Sequence, residues 1–332
     1  MSPQPAVAAK DLQGFKYFQT VVPLLQRLHD SGTARDTAGN RRLFFDQYAA
    51  LLLLYFFNPI LTSLNALRQA TELDKVQKLV GGRVSKGALS EAQHLFDGAL
   101  LEGIIRELAD RMAPVCPPQE WAALRDLTAV DGSLLPACAR MSWALWLDDS
   151  HRAAKMHVHF EVLRGIPRRV TVTTDNGSET EQLRQTLEQG RWYVIDRGYA
   201  EYQLFQDILD AGSSFLGRLR DNAVSQVIEE RPLTEADRAA GVRRDLVVWL
   251  GGDQSGLVLT QPLRVVEVVT GKTDQDGQPE VLLPVTDKMD VAAELVGYRF
   301  RWPVELFFRW FKCVLGRRHL LCESFAGVQM QI

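Results

Sequence analysis

The chain has 332 residues, 46% of them hydrophobic and 24% charged, with a formal net charge of −3. That length holds one sizeable core and at least one smaller domain. The charge balance excludes a protein that coats nucleic acid by bulk basicity, so any grip on a polyanion must come from local clusters.

The first fifteen residues lack the basic-then-apolar pattern of a signal peptide. The most apolar run, Ala49 to Phe57, is too short to span a bilayer. A cytoplasmic protein without membrane insertion is expected. Cys116, Cys138, Cys313 and Cys322 have neither CxxC spacing nor a regular framework, which disfavours a structural zinc site and a disulfide scaffold.

From Leu12 to about Met112, apolar residues recur at helical spacing, as in Phe15, Phe18, Val22, Leu25 and Leu28. Four to six helices are expected in an all-α region over 1–113. Breaks fall at Asn58-Pro59 and Gly81-Gly82, and Ser90-Glu91 reads as a helix start. Lys75, Lys78, Arg83 and Lys86 around the glycine break are compatible with a helix-turn-helix. A DNA-end contact and a plain helical cover or dimerisation surface both fit this region.

Pro114 to Pro118 mark a boundary, after which short β-rich runs alternate with helical ones. Strands are expected at Thr128–Leu135, Met156–Leu163, Arg169–Thr174, Trp192–Ile195 and Ser214–Leu219, with helices at Glu179–Leu187 and Tyr202–Leu209. The expected class is α/β, a mixed sheet with flanking helices. From about Asp221 to Pro284 helix signals stop, and Leu246–Trp249, Leu263–Val269 and Val281–Val285 read as strands. The expected organisation is thus a first part of the mixed domain over 119–220, a β-rich insertion over 221–284, and the last part of the mixed domain over 285–332. Helical periodicity returns at Val291 and runs to about Leu315, with the regular helix beginning near Pro303, where proline fits the first turn.

The run GYRFRWPVELFFRWFKCVLG, from Gly297 to Gly316, sets Tyr298, Arg301, Glu305 and Lys312 in the pattern Y-x2-R-x3-E-x6-K. At about 100° per residue, Arg301, Glu305 and Lys312 fall within a narrow arc of a helix. One acid then sits among groups able to hold phosphate. Between Gly297 and Leu321, six arginines and lysines face the single acid Glu305, a local footprint for phosphate-backbone contacts. Arg164, Arg168 and Arg169 form a second such cluster.

Each feature has a plainer reading. Glu305 fits a surface ion pair with Arg301 or Arg309, worth a few tenths of a kcal/mol. A lone aspartate at a strand end is usually a turn or cap residue. Trp302, Phe307, Phe308, Trp310 and Phe311 fit core packing better than base stacking. His157 and His159 alternate on one strand with no third partner, which favours structural roles over a metal.

With that signature, the sequence resembles the DDE transposases related to insertion sequence 4. The likeness extends to Asp131 in TAVDGSLLP and Asp196 in YVIDRGY, which resemble the family's first and second catalytic aspartates. It runs from about Thr128 to Leu321, with a weaker likeness at Glu91–Ile105. The resemblance implies a ribonuclease-H-like core. Asp131, Asp196 and Glu305 would be its catalytic and metal-holding acids, and Tyr298, Arg301 and Lys312 its DNA-phosphate contacts. It also implies two Mg2+ ions, for which Mn2+ may substitute, double-stranded DNA with terminal inverted repeats as substrate, a homodimer on paired ends, and a place at the nucleoid. Carboxylates suit that chemistry because hard cations take anionic oxygen ligands. The family continues beyond the position of Ile332, so a C-terminally truncated product is expected. The alternatives on the same core are a metal-dependent nuclease without strand transfer and a non-catalytic DNA-binding relative.

Overall fold

Six α-helices occupy the N-terminal stretch: α1 (Phe15–Leu25), α2 (Phe45–Phe57), α3 (Leu64–Ala70), α4 (Asp74–Val80), α5 (Lys86–Leu95) and α6 (Glu102–Arg111). The computed structural model describes residues 7–32, 35–37, 39–113, 126–137, 143–146, 152–174, 178–251, 259–273, 277–293, 302–316 and 324–332. α2 is the centre of this unit. Phe45, Tyr48, Leu51, Leu52, Leu54 and Tyr55 are all buried, so its apolar run needs no polar stripe. It stops at Asn58, whose buried amide donates to Leu54 O at 2.7 Å. α5 starts earlier than Ser90-Glu91 suggests. Gly81 closes α4 in the left-handed region at φ 76°, and Ser85 then caps α5, its hydroxyl accepting from Ala88 N at 3.1 Å. Ser90 is therefore an interior position.

Among the described residues that follow, eleven strands build one sheet. Its strands are β1 (Leu127–Ala137), β2 (Leu145–Trp146), β3 (Arg152–Glu161), β4 (Ile166–Thr174), β5 (Trp192–Val194), β6 (Ser214–Arg218), β7 (Ser225–Glu230), β8 (Val242–Leu250), β9 (Leu263–Thr273), β10 (Pro279–Leu282) and β11 (Pro284–Thr286). The path is β2-β3-β1-β5-β6-β11-β9-β8-β7, with β4 also on β3 and β10 on β9. β4, β3 and β1 are antiparallel, whereas β5 and β6 follow parallel to β1. Three antiparallel strands joined through the first to two parallel ones make a ribonuclease-H-like mixed sheet.

Helices cover both faces: α7 (Glu179–Gln185), α8 (Tyr202–Asp210), α9 (Glu235–Ala239), α10 (Trp302–Gly316) and α11 (Phe325–Gln331). Period-2 alternation sorts the strands' side chains between them. Leu127, Ala129, Val158, Trp192 and Val194 pack with Val304 and Phe308 of α10. On the opposite face, Val130, Tyr193, Ile195 and Phe215 pack with Leu183 of α7 and Leu204, Phe205 and Ile208 of α8.

The strands of 221–284 do not form a layer of their own. They prolong the same sheet through β11, which pairs antiparallel with both β6 and β9. Two elements here escape sequence reading. β7 is exposed along its whole length and has no alternation to detect. α9 is five residues long, too short for a period, and stands on a capping box of Thr234 and Asp237.

α11 ties the helical unit to the sheet. Ser324 Oγ donates to Gln93 O at 2.6 Å, Trp143 meets Phe325 edge to face, and Met330 enters the core of the helical unit. A Cβ on Gly98 would lie 2.7 Å from the backbone of Gln329, closer than two such atoms can come. Gly98→Ala is expected to push α11 off its seat and lower the thermal midpoint by several degrees, about 1–3 kcal/mol for an overpacked contact. An unchanged melting curve would show that the helix yields freely.

Candidate active site

Asp131 and Asp196 are brought together by sheet register. β1 and β5 run parallel with Ala129 opposite Val194; Asp131 lies two residues further along β1, and Asp196 two residues past Val194, just beyond the end of β5. Asp196 keeps extended dihedrals, φ −81° and ψ 169°, so the register carries through to it. Neighbouring strands are about 4.8 Å apart. A step of two residues returns each side chain to the face of Ala129 and Val194, the one covered by α10. Asp131 also stands opposite Val158 of β3, another member of that face.

Each acid is half-buried and braced by its own backbone. Asp131 Oδ1 accepts from Gly132 N at 2.9 Å, and Asp196 Oδ1 from Arg197 N at 2.6 Å. Behind Asp131, on the other face, Lys155 pairs with Glu179 at 2.7 Å. That pair fills the space which a side chain at 132 would need.

Glu305 enters from the helix. Val304 and Phe308 anchor α10 to the sheet, and Glu305, in its first turn, is exposed at the margin of that buried arc. Lys312 belongs to the same helix, two turns later in the chain. Phe307 and Phe311 pack beside the anchors, but Trp310 does not belong to the core: its ring is 58% exposed. Tyr298 and Arg301 lie outside the described residues, as do Arg317, Arg318 and His151.

The donor set is all oxygen and anionic, which fits a hard divalent cation better than a soft one. Register puts Asp131 and Asp196 on the sheet face covered by α10, the helix that carries Glu305. Among the described residues, no group of three His, Cys, Asp or Glu side chains is already gathered closely enough to hold a metal ion.

The second basic cluster has another use. Arg164, Arg168 and Arg191 all donate to Glu161, at 2.6, 3.0 and 2.9 Å. Arg168 also reaches Asp110 of α6 at 2.8 Å and Glu188 at 3.2 Å, and Arg169 lies within 4.0 Å of Glu102 and 3.8 Å of Glu188. These arginines dock α6 against β3 and β4 rather than forming an open phosphate-binding patch. The sequence does not reveal this, because their acid partners come from three separate segments, β3, α6 and the stretch after α7. The arginines in turn hold the Glu188 carboxyl below its usual range, against the opposing effect of burial.

His157 and His159 are structural. His157 Nε2 meets Thr173 Oγ1 at 2.9 Å, and His159 Nε2 meets Thr186 Oγ1 at 3.1 Å. Burial drives their pKa values down to about 4 and about 3. Both are neutral when folded, yet protonate near pH 6.5 when unfolded. Their stabilisation is therefore complete above pH 6.5 and is lost as pH falls towards 4. In that window unfolding takes up two extra protons, so stability should drop by roughly 2.7 kcal/mol per pH unit. Denaturant titrations between pH 6 and 4.5 would check this, and an equally steep slope in a His157→Gln, His159→Gln variant would contradict it.

Residues 122–332 match the family model described as the Transposase DDE domain. A curated relative from Sinorhizobium fredii, named "Putative transposase y4zB", is 30% identical over 205 residues, which is 60% of this chain and 54% of the relative. The chain thus spans about half the length of that relative. Among solved structures, the cryo-EM structure of the piggyBac transposase synaptic complex with hairpin DNA aligns with 90% of this chain and 67% of its own. The TM-score is 0.42 at 11% identity, a likeness too slight to carry an argument. The family match covers more than half of the chain, including the two paired aspartates and the helix of Glu305, and the chain therefore belongs to the DDE transposase family.

Proposed function

We propose that this chain is a DNA transposase of the insertion sequence 4 type, cleaving and joining strands at the ends of its element with Asp131, Asp196 and Glu305. The observation that supports the reading is the parallel register of β1 and β5, with Ala129 opposite Val194, each two residues before an aspartate, on the sheet face that the helix of the glutamate covers. Two Mg2+ ions, when bound, would supply an activated water and stabilise the leaving oxygen.

Everything else in the step falls to the protein. Asp131 and Asp196 offer anionic oxygens from a rigid sheet, and the backbone bonds to Gly132 N and Arg197 N fix their rotamers. Glu305 completes the acid set from α10. Lys312, and Tyr298 and Arg301 from the family signature, would hold the phosphates of the strand under attack. Homodimeric assembly on paired inverted repeats belongs to the same reading, since each end needs an active site. No described helix is long and apolar enough to cross a membrane, and a nucleoid location follows from the proposed substrate.

The test is a cleavage-and-joining assay on plasmid DNA bearing the inverted repeats that flank the gene, with Mg2+ or Mn2+. Nicked and joined products together support transposition. Cleavage without joining would replace it with a nuclease, and binding with neither product would replace it with a non-catalytic relative. Affinity should fall with salt at a slope of about −0.9 per neutralised phosphate.

A further inference from the structure

The largest fully buried side chain belongs to an arginine far from the acids. Arg264, on β9, is 2% exposed, and its Nε and Nη2 donate to Asp245 of β8 at 2.8 and 2.7 Å. A buried ion pair is rarely the most stabilising content for a core, because desolvation offsets much of the attraction. Its third nitrogen suggests another purpose. Arg264 Nη1 donates to Val291 O and lies 3.4 Å from Lys288 O. Those carbonyls belong to the segment that leaves β11 in the direction of α10.

The link continues through packing. Residues 264 and 266 share one face of β9, and Val266 sits in the same apolar cluster as Val242, Val291, Ala293 and the α10 anchors Val304 and Phe308. Nearby, Arg231 Nη1 donates to Met289 O at 2.7 Å, and Asp287 Oδ1 accepts from Phe215 N at 2.9 Å. Thus 287–291 is fastened to β6, to β9 and to Arg231 just past β7, while Val291 and Ala293 belong to the apolar cluster that also takes in Val304 and Phe308 of the helix that carries Glu305.

We propose that Arg264, held by Asp245, is a positioning residue that fixes 288–291 and through it the seat of α10, so that the outer strands of the sheet set where Glu305 stands relative to Asp131 and Asp196. This rests on the strand-cleavage reading for its effect on activity, but not for its effect on geometry.

The test uses the full chain with Cys116, Cys138 and Cys322 replaced by Ser. Spin labels go on the exposed Cys313 of α10 and on a cysteine at exposed position 203 of α8. Removing the pair as Arg264→Met with Asp245→Leu leaves no unpaired charge, so the fold should persist. Arg264→Lys keeps the charge but loses the fork that spans carboxylate and carbonyls, and serves if the double variant does not fold. The expected result is a broadened label-to-label distance, with plasmid nicking in Mg2+ slowed by up to about 100-fold at unchanged DNA affinity, as misplacement by about 1 Å can cause. An unchanged distance distribution overturns the inference, and so does a broadened one with full nicking activity. If the parent protein does not nick plasmid DNA, the strand-cleavage reading fails, while the distance measurement still decides whether Arg264 seats α10.

Discussion

Asp131→Asn and Asp196→Asn should each reduce strand cleavage about a thousandfold, the equivalent of roughly 4 kcal/mol of lost transition-state stabilisation, while leaving fold and DNA affinity intact. The asymmetry follows from the geometry. Each aspartate uses one oxygen to accept from the next backbone amide, and the amide oxygen of asparagine can accept that same bond. The substitution therefore removes the negative charge and keeps that backbone bond, so the folded state should persist in a thermal melt. Glu305→Gln should behave in the same way, because its exposed position makes the change neutral for packing. Circular dichroism melts, a DNA-binding titration and the plasmid cleavage assay would be read together. Parent-level cleavage by any of the three variants would remove that residue from the catalytic set. Loss of binding in parallel with cleavage would reassign it to substrate contact.

The largest effect on stability is expected at Glu161. Its side chain is 7% exposed and accepts from three guanidinium groups. Glu161→Ala would strand Arg164, Arg168 and Arg191 in a partly desolvated site with only Glu188 and the more exposed Asp110 as partners. Breaking a buried pair by removing one member costs about 3–5 kcal/mol, and here one member serves three. Urea unfolding should show a drop of that order, together with easier release of α6, whose Asp110 reaches Arg168. A loss under about 1 kcal/mol would show that Glu188 takes over the whole cluster.

Much of this molecule is readable from local patterns, since periodicity reports which side of an element is apolar. The run of helices before the boundary, the strands bearing Asp131 and Asp196, and the helix that begins at Trp302 beside Pro303 were all expected from the sequence. The signature around Glu305 is a local pattern, and it resembles that of the family to which the chain belongs. Periodicity says nothing of which element lies against which. The pairing of Asp131 with Asp196 depends on parallel register between strands separated by three others, by α7 and by intervening loops. The outer strands of 221–284 could have stacked as a separate layer, and it is β11, three residues long, that fastens them to the core sheet. Charge is the property most decided by tertiary contacts. Arg164, Arg168 and Arg169 look like an open cluster in sequence, but the fold places Glu161, Glu188, Glu102 and Asp110 within their reach. Arg264 has no local mark at all, because a guanidinium can be buried only where a carboxylate and spare carbonyls arrive from distant segments to replace its water.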